Sequence, residues 1–188
     1  MVAQPPKVVA GLAGLPVVAA GVYGDELRRL LLAAKERNAL GLLPLLGGRL
    51  AAAVLLLAEG SDGKLVLLPV PSASSVVAAR GVDFTAALAR SAVRALGSSG
   101  VRARVARSLV PVRRPRDQAG LDRAARLANL AGAFRCRGPA PRGRVVVVDD
   151  IVTTGATLAE AVRACTAGGW EVAGAATVAA TTRSRGAR

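Results

Sequence analysis

The sequence contains no histidine. That excludes a Ser-His-Asp triad, a Cys-His pair and any histidine-bearing metal site. Cysteine occurs only at Cys136 and Cys165, too few for a four-thiolate zinc site and far apart along the chain. The two fit reduced, buried cysteines better than a disulfide framework. Aromatic residues are limited to Tyr23, Phe84, Phe134 and Trp170, none inside a basic cluster, which leaves little on which nucleic-acid bases would stack. No run reaches membrane-spanning length. The best candidate, Val8 to Val22, is interrupted by Pro16 and several glycines, and it makes a poor signal peptide. A cytoplasmic protein with no membrane partner is expected.

Basic residues exceed acidic ones by 26 to 12, a net charge of +14. Lysine occurs only at Lys7, Lys35 and Lys64, so 23 of the 26 are arginines. They are scattered, with no run of five. Abundant Ala, Val, Gly and Arg with little Lys is what a GC-biased coding sequence produces, so the charge alone predicts no more than weak nucleic-acid binding. At 188 residues the chain is long enough for one well-packed domain and short for two.

Along the chain, residues 1–14 read as a flexible start and 15–181 as the domain, followed by a flexible tail at 182–188. Leu15 to Val22 reads as a short strand. Asp25 is placed to cap a helix reaching Arg37, with Leu27, Leu30, Leu31 and Ala34 on one face. A second helix is expected from Leu45 or Gly48 to Ala58. Lys64 to Val70 is a buried strand that ends in Pro71-Ser72-Ala73-Ser74-Ser75, small hydroxyl residues suited to an anion loop. Arg80-Gly81 opens a helix with Phe84, Leu88, Ala92 and Leu96 at helical spacing. Val101 to Val110 reads as one strand with alternating arginines, then a basic loop from Pro111 to Gln118. Asp117 is placed to cap a helix to Leu130, with Leu121, Ala125, Leu127 and Leu130 inward. A short strand at Ala133 to Cys136 follows. The last units are a strand at Val145, a helix from Leu158 to Ala167 and a strand from Trp170 to Ala179. Alternation of this kind predicts an α/β fold, a parallel sheet flanked by helices.

One stretch organises the rest: Val145-Val146-Val147-Val148-Asp149-Asp150-Ile151-Val152-Thr153-Thr154-Gly155-Ala156-Thr157-Leu158. The β-branched run reads as a fully buried parallel strand. Two carboxylates follow at its carboxyl end, where open α/β sheets place their ligands. The hydroxyl-rich turn then opens a helix, whose unpaired N–H groups and positive dipole end attract an anion. Capping alone would explain one acidic or hydroxyl residue. Two carboxylates and three threonines within nine residues are more than a cap needs. The set suits a phosphate joined to vicinal hydroxyls, as in a ribose 5-phosphate. No G-x-x-x-x-G-K-[ST] loop and no strand followed by G-x-G-x-x-G competes with it.

The stretch resembles the phosphoribosyl-pyrophosphate (PRPP) signature of the type I phosphoribosyltransferases. The resemblance implies that fold, with Asp149 and Asp150 as catalytic residues on the ribose 2- and 3-hydroxyls. Thr153, Thr154, Gly155, Ala156 and Thr157 would wrap the 5-phosphate. Within that group the chain is similar to the ComF family. Tyr23-Gly24, Leu27-Arg28, Lys35, Leu68-Pro69-Val70-Pro71, Arg80-Gly81, Gln118, Leu121, Arg126, Asn129 and Gly132-Ala133-Phe134 fall in the family's order. Many ComF relatives open with a four-cysteine zinc module, whereas no cysteine precedes Cys136 here. Val82-Asp83-Phe84 stands where the family usually has Phe-Asn-Gln.

The resemblance implies transfer of the phosphoribosyl group from PRPP to an unidentified acceptor, with release of pyrophosphate. Val70, Pro71 and Ser72 would cradle the pyrophosphate, helped by Arg80, Arg114 and Arg116. Mg2+ would be carried mainly on PRPP, with Asp149 and Asp150 as its nearest protein carboxylates. The alternative is a non-catalytic PRPP or nucleotide sensor acting in DNA uptake through nucleic acid or a protein partner. A homodimer is the ordinary expectation for a soluble enzyme.

Overall fold

The computed structural model describes residues 5–58, 64–72, 77–78, 81–113 and 123–181 of the chain. A six-stranded sheet runs in the order β1-β2-β8-β7-β3-β4. Its strands are β1 (Lys7–Leu12), β2 (Leu15–Ala19), β3 (Lys64–Pro69), β4 (Arg102–Val105), β7 (Arg144–Val152) and β8 (Val172–Ala180). All neighbours are parallel except β1, which pairs antiparallel with β2. A second, two-stranded antiparallel sheet joins β5 (Leu109–Pro111) to β6 (Phe134–Cys136). The expected helix-flanked parallel sheet is therefore present.

The pattern of β7 explains its central place. Val146 and Val148 enter one core cluster, while Val145 and Val147 enter the other. A strand buried on both faces reads as a continuous apolar run rather than an alternating one. Helices α1 (Asp25–Glu36), α2 (Leu43–Leu55) and α3 (Phe84–Ser98) cover the first face, and α5 (Ala156–Ala167) covers the second. The remaining helix, α4 (Arg123–Leu130), packs through Leu130 against Ala133 and Ala156. Helices α2 and α3 cross closely because Gly47 has no side chain. A Cβ there would lie 2.5 Å from the Ser91 side chain, whose hydroxyl donates to the Leu43 carbonyl at 2.8 Å.

Several expectations are corrected. The start is not loose throughout, because Lys7–Leu12 forms β1 and hairpins onto β2 through Ala13 and Gly14, both in the left-handed region. The N-cap of α1 is Gly24, so Asp25 sits in the first turn, where its charge favours the positive helix end. Helix α2 begins earlier than expected, with Pro44 in its first turn, where a missing N–H is harmless. Helix α3 starts at Phe84, and its cap is Asp83, whose side chain accepts from the Ala86 N–H at 3.2 Å. The single strand expected from Val101 to Val110 is split. Ala106 N–H still donates to Leu67 O, after which the chain leaves the main sheet and Leu109 pairs with Cys136. On α4, Leu130 is buried, but Leu127 is 40% exposed. Asp117, Gln118 and Leu121, together with the tail 182–188, lie outside the described residues. Among the described residues, no helix is long and apolar enough to cross a membrane.

Candidate functional site

The sheet order places a switch point at β3. From β3 the chain moves outward to β4, then returns to the other side of β3 as β7. Ligands of open α/β sheets bind beyond the strand ends at such a point. The two loops singled out in the sequence leave these neighbouring strands side by side. Pro69 is in register with Val148, and Val70 N–H donates to Val148 O at 2.9 Å. Pro71 and Ser72 thus emerge beside Asp149 and Asp150.

The strand extends through both carboxylates to Val152, rather than ending before them. Adjacent strand residues point to opposite faces, and the two carboxylates divide accordingly. Asp149 lines a small cavity of about 40 Å³ with Thr153, Thr154, Gly155, Ala156 and Thr157. Asp150 is 5% exposed and receives the ammonium of Lys35, from the last turn of α1 on the opposite face. Each carboxylate also accepts a hydrogen bond from the following backbone N–H, Asp150 to Asp149 at 2.8 Å and Ile151 to Asp150 at 3.0 Å. Burial pushes the Asp149 carboxyl well above its ordinary range, and repulsion from Asp150 adds to the rise.

Gly155 is the hinge between strand and helix. Its φ of 80° places it in the left-handed region at the N-cap of α5, a conformation glycine adopts without steric cost. The turn thereby sets the start of a 12-residue helix, where the first N–H groups lack intrahelical partners, at the cavity lined by Asp149 and the three threonines. Thr154 Oγ1 accepts a long bond of 3.4 Å from Ala156 N–H. This concentration of donors suits one phosphate group.

A larger cavity of about 630 Å³ opens on the other side of the switch point, lined by Pro69, Pro71, Ser72, Asp83, Arg107 and Leu109–Pro111 among others. Val70 is buried in the second core cluster. Arg80, Arg114 and Arg116 lie outside the described residues. Among the described residues, the charged groups on this cavity's wall are Arg107 and Asp83, paired at 3.1 Å, with the Arg107 side chain 63% exposed. Ser72 Oγ donates to Asp83 at 3.4 Å. Asp83 thus joins the loop after β3, the N-terminus of α3 and a basic residue. Sequence reading noted Arg107 only as one of the alternating arginines. Nothing in the sequence sets it apart from the others, because the break after β4 that places it on the cavity appears only in the pairing of β5 with β6.

Among the described residues, no group of three or more His, Cys, Asp or Glu side chains is gathered for a metal. Asp150 is engaged by Lys35, leaving Asp149 as the carboxylate in the loop cavity. One carboxylate fits a hard cation that keeps most of its ligands from substrate phosphates and water.

A family model described as the phosphoribosyl transferase domain matches residues 65–188. No curated protein sequence matches. Among solved structures, that of Leishmania donovani UMP synthase aligns over 89% of this chain and 27% of its own, at 19% identity and a TM-score of 0.35. The chain thus spans little more than a quarter of that enzyme's length.

Proposed function

We propose that this chain, which belongs to the phosphoribosyl transferase domain family, binds PRPP and transfers its phosphoribosyl group to a nucleophilic acceptor. The finer likeness to the ComF family rests on the order of its sequence landmarks. One observation carries the reading: Asp149 and the Thr153–Thr157 turn line a single cavity at the N-terminus of α5. Alongside it opens the cavity of Ser72 and Arg107.

In this reading the 5-phosphate accepts hydrogen bonds from the α5 N-terminus and the threonine hydroxyls. Asp149 accepts from the ribose hydroxyls. The pyrophosphate lies toward Pro71 and Ser72, where Arg107 supplies positive charge. The bond from C1 to the pyrophosphate oxygen breaks, the acceptor's electron pair forms the new bond to C1, and pyrophosphate leaves with the electrons of the old bond. Positive charge develops on the ribose during that exchange, and Asp149 at the end of β7 stabilises it electrostatically. Mg2+, held by Asp149 and the substrate, would supply neutralisation of the pyrophosphate charge.

Calorimetric titration of PRPP with magnesium tests the proposal. Wild type is expected to bind. Asp149→Asn is expected to lose roughly ten- to a hundredfold in affinity, since a hydrogen bond to a charged group contributes about 1.5–3 kcal/mol. Pyrophosphate release with a panel of amine and nucleobase acceptors then separates transfer from mere sensing. Unchanged binding by folded Asp149→Asn would sink the site.

A further inference from the structure

Cys136 ends β6 and Cys165 lies in the last turn of α5, 29 positions apart in sequence, yet their Sγ atoms stand 3.6 Å apart. Both are free thiols. A disulfide needs about 2.0 Å between the sulfurs, so a small side-chain adjustment separates the two states. The backbone at this junction is already fixed. Glu160 of α5 accepts from Phe134 N–H at 3.2 Å, and Arg163 donates to Phe134 O at 3.2 Å. Two residues before Cys136, the strand is therefore clamped to the helix that carries Cys165.

We propose that Cys136 and Cys165 form a thiol modification site that closes to an intramolecular disulfide, with a small soluble disulfide such as oxidised glutathione as its oxidant. Cys136 is half-buried and Cys165 fully buried, so the first attack comes from Cys136. Its thiol loses a proton to solvent, and its sulfur attacks the oxidant, forming a mixed disulfide and releasing one glutathione. Cys165 then loses its proton and attacks the Cys136 sulfur, releasing the second glutathione. Two protein thiols are oxidised to one disulfide, and one glutathione disulfide is reduced to two thiols that take up the two protons. Burial raises the pKa of both thiols, which keeps the thiolate fraction small and the exchange slow. The closed loop would contain β7 and the whole turn from Asp149 to Thr157. A cross-link of that span constrains the unfolded chain.

The test is incubation of the full chain with oxidised glutathione under native conditions, followed by acid quench, thiol alkylation and intact mass. The expected product is monomeric, lacks both free thiols, retains no glutathione and is lighter by two hydrogens. Its melting temperature is expected to rise by roughly 5–10 °C and to return on reduction. Cys165→Ser is expected to stop with one glutathione on Cys136. Peptide mapping of briefly oxidised wild type gives the same information if that variant does not fold. A stable mixed disulfide in wild type, a disulfide between two chains, or two unreacted thiols would each overturn the proposal.

Discussion

Asp149 and Asp150 are neighbours in sequence and opposites in environment. Asp150 is closed over by protein and paired with Lys35, while Asp149 faces the loop cavity. Two consequences differ in sign. Asp149 has a raised pKa in the fold. Its contribution to stability is fully present below the ordinary carboxylate range and is lost as pH rises through the raised value. Asp149→Asn should therefore be at least as stable as wild type at neutral pH while binding PRPP less tightly, a combination that unfolding cannot imitate. Lys35→Met should instead destabilise, because it leaves the Asp150 carboxylate buried without its cation. Lys35 is one-third exposed, which reduces the expected loss to about 1–3 kcal/mol. Urea unfolding of Lys35→Met, Asp150→Asn and the double variant should show the double loss well below the sum of the singles. The signature itself was legible, because its carboxylates and threonines lie within nine residues. The Lys35 contact was not, since 115 positions separate its partners. The opposite facing of the two aspartates follows from strand period once β7 is known to run through them.

At the scale of elements, strands buried on both faces were the most legible, because valine and leucine runs of strand length admit few other places. Strand β1 was missed. Pro5-Pro6 and the spaced glycines mask it, and its turn uses Ala13 at a φ of 50°, where asparagine or glycine would have announced a hairpin. The β5–β6 sheet was hidden for another reason: its partners lie on either side of α4, and only their pairing reveals the break after β4. The junction between β6 and α5 offers a test. Burial would raise the Glu160 carboxyl, but hydrogen bonds from Arg163 and from the Phe134 and Gly132 backbone outweigh it and hold it below its ordinary value of 4.5. That stabilisation is present above the unfolded value and is lost as pH falls through the folded one. Glu160→Gln should lose stability at pH 7 and converge toward wild type under acid, as read by thermal melts across pH.

Over the whole molecule the charge of +14 gives a separate expectation. Cations spread along the chain attract phosphate backbones without selecting a sequence. Binding to single- or double-stranded DNA should weaken steeply with salt and vanish near physiological ionic strength. Retention at that salt, measured by fluorescence anisotropy, would favour a dedicated nucleic-acid role. The same arginines protect an edge of the sheet. Arg102 and Arg104 of β4 are exposed on the outermost parallel strand, and charge on an edge discourages pairing with another chain.

The adjacency of β3 and β7 sets the order in which the protein can be made. Leu65 pairs with Arg144, so the strands carrying the two halves of the site meet only after a long intervening stretch has been synthesised and its closure entropy overcome. A nascent chain that has emerged only as far as α3 already has the small-hydroxyl loop but no signature strand beside it. The two halves of the site therefore cannot meet until β7 has followed β3 out of the ribosome.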